Sequence, residues 1–154
     1  DVNASHLARE HGIKVSETRV YSTDEFASLI HVRIEGDQGS HSLSGALIGL
    51  NDYRLVRIDD YLVEAIPEGN LLVLHNEDRP GVIARISTIL AEAGVNIATL
   101  NLSRRRVEGS AISLIGIDSL IAPEVLERLA VADGVIFACP VNLPPATNWN
   151  TAEK

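Results

Sequence analysis

The chain has 154 residues, enough for one ordinary domain or for two small ones that each bury a modest core. It contains no apolar run near the ~20 residues that span a bilayer and no secretion-signal pattern, so we expect a cytoplasmic protein without membrane contact. The formal net charge of −8 argues against nucleic acid as a partner, and the single cysteine excludes an internal disulfide, a cysteine-based zinc site and an iron–sulfur cluster.

The first part of the chain has the pattern of a small, strand-rich domain with one helix. A short helix is predicted over 3–11, because Gly12 follows it and glycine adopts the left-handed backbone that often ends a helix. Short, partly alternating apolar runs then predict strands, with a hairpin loop at 36–39 and a two-residue turn at 59–60. The predicted strands are 13–20, 28–35, 40–48, 53–58 and 61–65.

Residues 67–69 are the predicted linker, since Pro67 and Gly69 interrupt the alternating pattern. A continuous apolar run over 71–74 then suits a central strand that is buried on both faces. From Gly81 the period changes to that of a helix, which Gly94 ends. Its predicted apolar stripe is Val82, Ile83, Ile86, Ile89, Leu90 and Ala93.

Two strands, 95–105 and 110–118, precede a second helix that starts at Pro123 and has a Glu124 to Arg128 pair one turn apart. The last strand, 135–143, contains a proline, which cannot donate to a ladder and so indicates an edge strand. The order strand, helix, strand, strand, helix, strand predicts a ferredoxin-like βαββαβ sandwich, and the fold class of the whole chain is α+β. Fold alone does not give function.

The loop 76–81 separates the first strand of this second domain from its first helix. Backbone N–H groups after Gly81, beginning with Val82, favour a carboxylate or phosphate, and Pro80 suits an early helical position where no N–H is needed. An α-amino acid would place its carboxylate there and its ammonium near Asp78, with Asn76 and Asn96 serving its other polar groups. The alternative is that Asp78 only caps the helix and Asn76 only closes a turn.

Other polar residues have ordinary explanations. Cys139 alternates with apolar residues, so we expect a buried strand thiol and not a nucleophile. The basic run 104–106 is a solvated strand end, or it holds an anionic ligand or an acidic partner. His75 ends the buried strand as a hydrogen-bonded structural residue or as a ligand contact, and the histidines show no metal spacing. We expect no metal and no catalytic residue.

Two resemblances narrow the function. The segment NEDRPGVIARISTILAEAGVNIATLNLSR resembles an ACT domain. Upstream, DVNASHLAREHGIKVSE, SLSGALIG and YRLVRIDDYLVEAIPEGNLLVLHNEDRPG resemble the intervening and ACT domains of long-form D-3-phosphoglycerate dehydrogenase. The resemblance implies the C-terminal part of the intervening (allosteric substrate-binding) domain over 1–66, a linker over 67–69, an ACT domain over 70–143 and a flexible tail over 144–154.

The family implies an NAD-dependent enzyme that oxidises 3-phosphoglycerate in serine biosynthesis and is inhibited by L-serine. The chain has no Gly-x-Gly-x-x-Gly turn after a strand and no Arg, Glu and His constellation in a dehydrogenase context. We therefore expect the C-terminal regulatory part, non-catalytic and without a cofactor of its own, with NAD bound by the catalytic part of the parent enzyme.

By position, the resemblance makes Asn76 and Asp78 effector-binding residues beside Gly81 and Val82 at the helix start. It assigns Asn96 to the same site from the partner subunit of a homodimer or tetramer formed through ACT domains. In the intervening domain, Arg54 falls on a candidate anion-binding position, whereas Ile66 occupies a second position that the family fills with a basic residue.

Two alternatives stay open at this point. The chain could be an oligomerisation scaffold that binds no effector. It could also be the regulatory chain of an L-serine dehydratase, because bacterial β-type chains resemble the same pairing of an intervening domain with an ACT domain.

Overall fold

The computed structural model describes residues 4–18, 28–37, 39–49, 52–105 and 109–144. Within these ranges, no helix is long and apolar enough to cross a bilayer. The helices are α1 Ala4–Glu10, α2 Val82–Glu92 and α3 Pro123–Ala130. The strands are β1 Ser28–Gly36, β2 Gly39–Ile48, β3 Asp52–Ile58, β4 Tyr61–Ala65, β5 Gly69–Glu77, β6 Ile97–Arg104, β7 Ser110–Ile117 and β8 Val135–Leu143.

The strands β1 to β4 form an antiparallel sheet in chain order, here called the meander. Its last turn places Asp59 at φ 48°, and the Asp59 carboxylate accepts a 2.7 Å hydrogen bond from the Ser42 backbone N–H. Because Asp tolerates the left-handed region better than most residues, this turn forms without glycine. The predicted helix before the meander is confirmed as α1.

The strand predicted over 13–20 is wrong for the residues that the structure describes. Residues 13–18 have no regular secondary structure, and 19–20 lie outside the described ranges. Ile13 and Val15 alternate as in a strand, but both side chains are exposed. Alternation predicts a strand only where a neighbouring edge supplies hydrogen bonds, and these residues pair with no strand among the described ones.

The second half forms the predicted βαββαβ fold, with strand order β6-β7-β5-β8. We call this four-stranded antiparallel layer the ACT sheet. One face packs against α2 and α3 and forms the main core, in which the central strand contributes Leu72 and Leu74, both fully buried. The strand with Pro140 is confirmed as an edge, since among the described residues β8 pairs only with β5.

Several local predictions in this half need correction. Helix α2 begins at Val82, so Pro80 lies before the helix and not in its first turn. Arg128 does not pair with Glu124 but reaches across to Glu92 on α2, because the facing helix offers a carboxylate that fixes the two helices together. Cys139 is only half-buried, since it lies on the edge strand β8.

The opposite face of the ACT sheet packs against the last strand of the meander. Tyr61 and Val63 of β4 form a second core with Ile112 and Leu114 of β7. Side chains of β6 also bond to the β4 backbone: Asn101 Nδ2 donates to the Glu64 carbonyl at 2.9 Å, and the Ser103 hydroxyl donates to the Leu62 carbonyl. This shared core fixes the meander against the domain that carries the candidate site.

Candidate effector site at the start of helix α2

The start of helix α2 is open. Its N-cap is Gly81, at φ 90° and ψ −17°, and no side chain in the described part of the chain forms a capping hydrogen bond there. The alternative in which Asp78 caps the helix is therefore wrong. The first backbone N–H groups of a helix have no intrahelical partner, and here the bond from Arg85 N to Gly81 O closes the first turn. A Cβ built on Gly81 meets nothing within 4 Å among the described residues, so the backbone at the helix start faces open space.

The loop before the helix is fixed by its neighbours. The backbone N–H groups of Glu77 and Asp78 donate to the carbonyls of Gly134 and Gly109, each at 2.8 Å. Gly134 needs to be glycine, because at φ +89° an added Cβ would lie 2.5 Å from Cγ2 of Val82. The turn before β8 therefore packs directly on the first residue of α2 and holds the helix start in place.

Arg79 links the two sides of this arrangement. Its guanidinium donates to the carboxylates of Glu77 and Asp133, each at 2.5 Å. The hydrogen bond from Arg79 lowers the pKa of Asp133, and the same bond raises the pKa of Arg79. Arg85 adds a 2.8 Å bond to the Asp133 carbonyl. The loop thus reaches the helix start with little freedom.

Asp78 provides a negative charge next to these donors. Its side chain is 16% exposed, and Oδ2 lies 3.4 Å from Nη1 of Arg104 at the end of β6. This distance is long for a charge-assisted hydrogen bond, which is normally 2.7–2.9 Å. The carboxylate is thus close to one guanidinium, but it has capacity for a second cationic group.

Asn76 lies beneath the loop, on the helix side of the ACT sheet. It is 1% exposed, its Oδ1 accepts a 2.8 Å hydrogen bond from the Ser113 hydroxyl, and its Nδ2 donates to the Glu77 carbonyl at 3.0 Å. Both ends of its amide are therefore satisfied within the chain. A direct contact between Asn76 and an effector stays a prediction.

Asn96 is at the other end of the sheet. It precedes β6 and donates to Asp118 Oδ2 at 2.7 Å. The Arg104 end of β6 lies in register with Asn76, whereas the Ile97 end lies in register with Asn70. Seven residue steps of about 3.3 Å separate the two ends, roughly 23 Å. The structure brings Asn76, Asp78, Gly81 and Val82 together but leaves Asn96 apart within one chain.

The remaining candidates have partners inside the chain. His75 faces the meander, with Nε2 3.3 Å from the Tyr61 hydroxyl, which favours its structural role. Arg54 pairs with Asp52 at 3.0 Å, and anion binding there stays a prediction. Among the described residues, no group of histidine, cysteine and carboxylate side chains is arranged to hold a metal.

Sequence reasoning missed Ser113 and Gly134 and did not connect Arg104 with Asp78. Ser113 interrupts an otherwise apolar strand, which is a usable signal for a buried polar partner. The need for glycine at position 134 comes from its contact with Val82, which no local sequence pattern shows. Arg104 belongs to the basic run, but its contact with Asp78 depends on the pairing of β6 with β7.

With this geometry in place, the family comparisons define the class. Residues 70–134 match the ACT domain family, in agreement with the βαββαβ order of the second half. Residues 1–59 match the D-3-phosphoglycerate dehydrogenase intervening domain. The chain therefore joins an intervening domain to an ACT domain, an arrangement of regulatory modules.

The relatives narrow the class further, because proteins named D-3-phosphoglycerate dehydrogenase are similar to the chain over most of its length. It is 35% identical over 144 residues to the protein of that name from Archaeoglobus fulgidus, covering 92% of this chain and 27% of the relative. The protein of the same name from Synechocystis is 31% identical over 142 residues, covering 92% and 26%, and that from Bacillus subtilis is 28% identical over 144 residues, covering 94% and 27%. The chain thus spans about a quarter of the length of these relatives.

Proposed function

We propose that this chain is the regulatory part of a D-3-phosphoglycerate dehydrogenase and that L-serine binds at the start of α2 as its feedback effector. The observation that carries the proposal is an uncapped helix start with open space beside it and the Asp78 carboxylate close by. The effector carboxylate accepts hydrogen bonds from the N–H groups that follow Gly81, where the helix dipole favours negative charge. Its ammonium pairs with Asp78, and Asn76 forms the floor of the site.

The proposal completes the site across a dimer. Strand β6 is an edge of the ACT sheet, and a twofold pairing of β6 with its copy would run antiparallel. That pairing puts the start of one β6 beside the end of the other, so Asn96 of the partner subunit comes next to Arg104 and Asp78. A site shared by two subunits then requires that Asn96 and Asp78 of one chain lie at opposite ends of the sheet.

Two leucines support association at this edge. Leu100 and Leu102 lie opposite Ile115 and Ser113 in the register, on the helix side of the sheet, and each is 46% exposed. Pairing along β6 would cover them, whereas the β8 edge contains Pro140, which cannot donate to a ladder. The proposed assembly is therefore a homodimer through β6.

Regulation follows if L-serine binds two arrangements of the subunits unequally, because only differential affinity shifts an equilibrium. The catalytic domains of the longer relatives would respond to that shift. The chain has no Gly-x-Gly-x-x-Gly turn for a dinucleotide, so the proposal assigns NAD to those domains.

Calorimetric titration of the chain with L-serine, with D-serine and glycine as comparisons, tests the proposal. We expect saturable binding of L-serine, weakened roughly tenfold or more in Asp78→Ala through loss of a charge-assisted bond. Glu92→Ala is the matched control, because it removes an exposed carboxylate of the same domain whose partner is Arg128. No heat at millimolar L-serine would overturn the effector function.

A mixing experiment tests whether the site is shared between two chains. Asp78→Ala and Asn96→Ala should each weaken binding at both sites of a homodimer. A mixed dimer of the two variants contains one site with both residues intact. Because half of the dimers in an equimolar, freely exchanging mixture are mixed, mixing should restore about a quarter of the wild-type binding capacity. A mixture that binds no better than either variant would show that Asp78 of one subunit and Asn96 of the other do not form one site.

One observation favours a second candidate, an oligomerisation scaffold without an effector. Arg104 already stands next to the Asp78 carboxylate and could neutralise it permanently. This candidate predicts a dimer in sedimentation experiments that is unchanged by L-serine and gives no heat with it. The calorimetric titration therefore separates the two candidates.

A further inference from the structure

The hydroxyl of Tyr61 is the point where the meander contacts a strand that leads to the effector loop. Tyr61 is a buried residue of β4, and its hydroxyl oxygen lies 2.6 Å from Oγ of Ser110, the first residue of β7. Nε2 of His75 lies farther away, at 3.3 Å. Because hydrogen bonds between two hydroxyl groups are normally 2.5–3.0 Å long, Ser110 is the main partner of the Tyr61 hydroxyl.

Ser110 adjoins the carbonyl that fixes Asp78. The backbone N–H of Asp78 donates to the Gly109 carbonyl at 2.8 Å, and this carbonyl belongs to the peptide bond between Gly109 and Ser110. Because a peptide bond is planar, a shift of the Ser110 backbone also moves the Gly109 carbonyl oxygen. Ser110 also lies opposite Glu77 in the pairing of β7 with β5. A continuous connection therefore runs from the meander through Ser110 to Asp78.

The end of β6 adds a second contact between the same two regions. Nη1 of Arg104, the last residue of β6, lies 3.4 Å from Oδ2 of Asp78. Cζ of Arg105, the next residue, lies over the Tyr61 ring at 6.0 Å from its centroid. Replacing Tyr61 by phenylalanine keeps the ring below Arg105 and removes only the hydroxyl. The contact with β7 can therefore be tested separately from the contact with β6.

We propose that Tyr61 and Ser110 are positioning residues of the effector site, which hold the Asp78 carboxylate in place beside the start of α2. The ion pair with an effector ammonium depends on the position of that carboxylate. A loop that is already ordered also loses less conformational entropy when a ligand binds. The consequence for effector affinity rests on the proposed function, whereas the effect on the Asp78 backbone can be measured without a ligand.

Backbone amide exchange of the ligand-free chain, measured for each residue by NMR, tests the connection to Asp78. The N–H groups of Glu77 and Asp78 both donate over 2.8 Å, but to different carbonyls, and only the acceptor of Asp78 adjoins Ser110. Tyr61→Phe and Ser110→Ala should each speed exchange several-fold at Asp78 and by less than about twofold at Glu77. Equal acceleration at both amides, or none at Asp78, would overturn the proposal.

Calorimetric titration of the whole chain with L-serine tests the effect on affinity. Tyr61→Phe should weaken binding roughly threefold, within the limit of about tenfold that the net contribution of one hydrogen bond sets. Val63→Ala is the matched control, because it shortens a buried side chain of the same strand and keeps the Tyr61 hydroxyl. This control should lower the melting temperature at least as far as Tyr61→Phe but change the affinity by less than about twofold. Equal weakening in both variants would overturn the proposal, because a loosened meander alone would then explain it.

The double variant of Tyr61→Phe and Ser110→Ala tests whether both residues act through one hydrogen bond. It should weaken L-serine binding no further than the weaker-binding single variant, since either change removes the same bond. Additive weakening would overturn a shared connection. If L-serine does not bind the wild-type chain, the proposed function fails, and amide exchange at Asp78 still tests the positioning. If L-serine binds and Tyr61→Phe leaves its affinity unchanged, the positioning is overturned and the effector site is not.

Discussion

The two sheets of this molecule differ in how their faces are covered. The ACT sheet has α2 and α3 on one face and β4 on the other, and Leu72 and Leu74 at its centre are fully buried. Every residue of β1 in the meander is exposed, including Ile30 at 68% and Ile34 at 70%. The meander therefore depends on the ACT sheet for its main apolar contact, whereas the ACT sheet has a core of its own with its helices.

The largest expected effect is a difference between two truncations of apolar side chains. Leu74→Ala leaves a cavity in the main core and should lower the free energy of unfolding by about 2–5 kcal/mol. Ile30→Ala in β1 should change it by less than about 0.5 kcal/mol. Urea denaturation measures both. Similar losses of unfolding free energy at the two positions would show that β1 is covered in solution. They would contradict the difference in burial between the two sheets.

Alanine substitutions at two glycines also compare the stability of the two sheets. Gly134→Ala places a methyl group against Val82 at a positive φ, so it should cost roughly 2 kcal/mol or more from strain and overpacking. Gly45→Ala in β2 meets only the Arg54 carbonyl at 3.6 Å, an ordinary contact, and should change stability by no more than about 1 kcal/mol. Thermal unfolding of both variants is the measurement. A neutral Gly134→Ala would mean that the turn before β8 does not hold the helix start.

Tyr61→Phe tests the connection between the sheets. The Tyr61 hydroxyl lies 2.6 Å from Ser110 Oγ and 3.3 Å from His75 Nε2, and its loss should cost about 1 kcal/mol. Hydrogen exchange should increase in β3 and β4 more than in α2, because the meander loosens while the main core persists. Tyr53→Phe, at an exposed position of β3, is the control. Equal increases of hydrogen exchange in α2 and β4 would show that the meander and the main core loosen together.

The smallest effect concerns the charged turn of the meander. Burial raises the pKa of Asp59, but hydrogen bonds from His41 and from the Ser42 N–H outweigh it, and the net pKa is below the ordinary value of 3.8. A lowered folded-state pKa adds stability that is present above the unfolded-state pKa and is lost as pH falls through the folded-state pKa. Asp59→Asn should therefore destabilise slightly at pH 7, and the difference should disappear in acid. Urea denaturation at pH 7 and pH 3 measures it, and an unchanged difference at pH 3 would contradict this origin.

The order of elements in the second half could be predicted because the signals are local. The period of apolar residues changes at Gly81, and a glycine or proline marks most boundaries. The position of the effector loop followed from the same signals, since a loop between a strand and a helix necessarily leads to a helix start. The predicted place of Pro80 inside the helix was wrong, because the first residue of the helix depends on the backbone angles at Gly81.

Features that depend on distant residues could not be predicted. Asn76 and Ser113 are 37 positions apart, and only strand pairing makes them partners. Alternation in β4 predicts one buried face, but nothing local shows that β7 covers it. Arg128 had two equivalent choices in sequence, Glu124 one turn away and Glu92 on another helix, and tertiary packing selects the second.

The second core joins the last strand of the meander to the ACT sheet. It takes Tyr61 and Val63 from one side of the irregular segment 66–68 and Ile112 and Leu114 from the other. The strand β4 lies between the two matched regions, 1–59 and 70–134, and its core contacts make it part of the same packed unit as the ACT sheet. Transplanting the ACT domain alone into another protein would expose Ile112 and Leu114, so a well-behaved graft should carry β4 with it or replace these two side chains with polar ones.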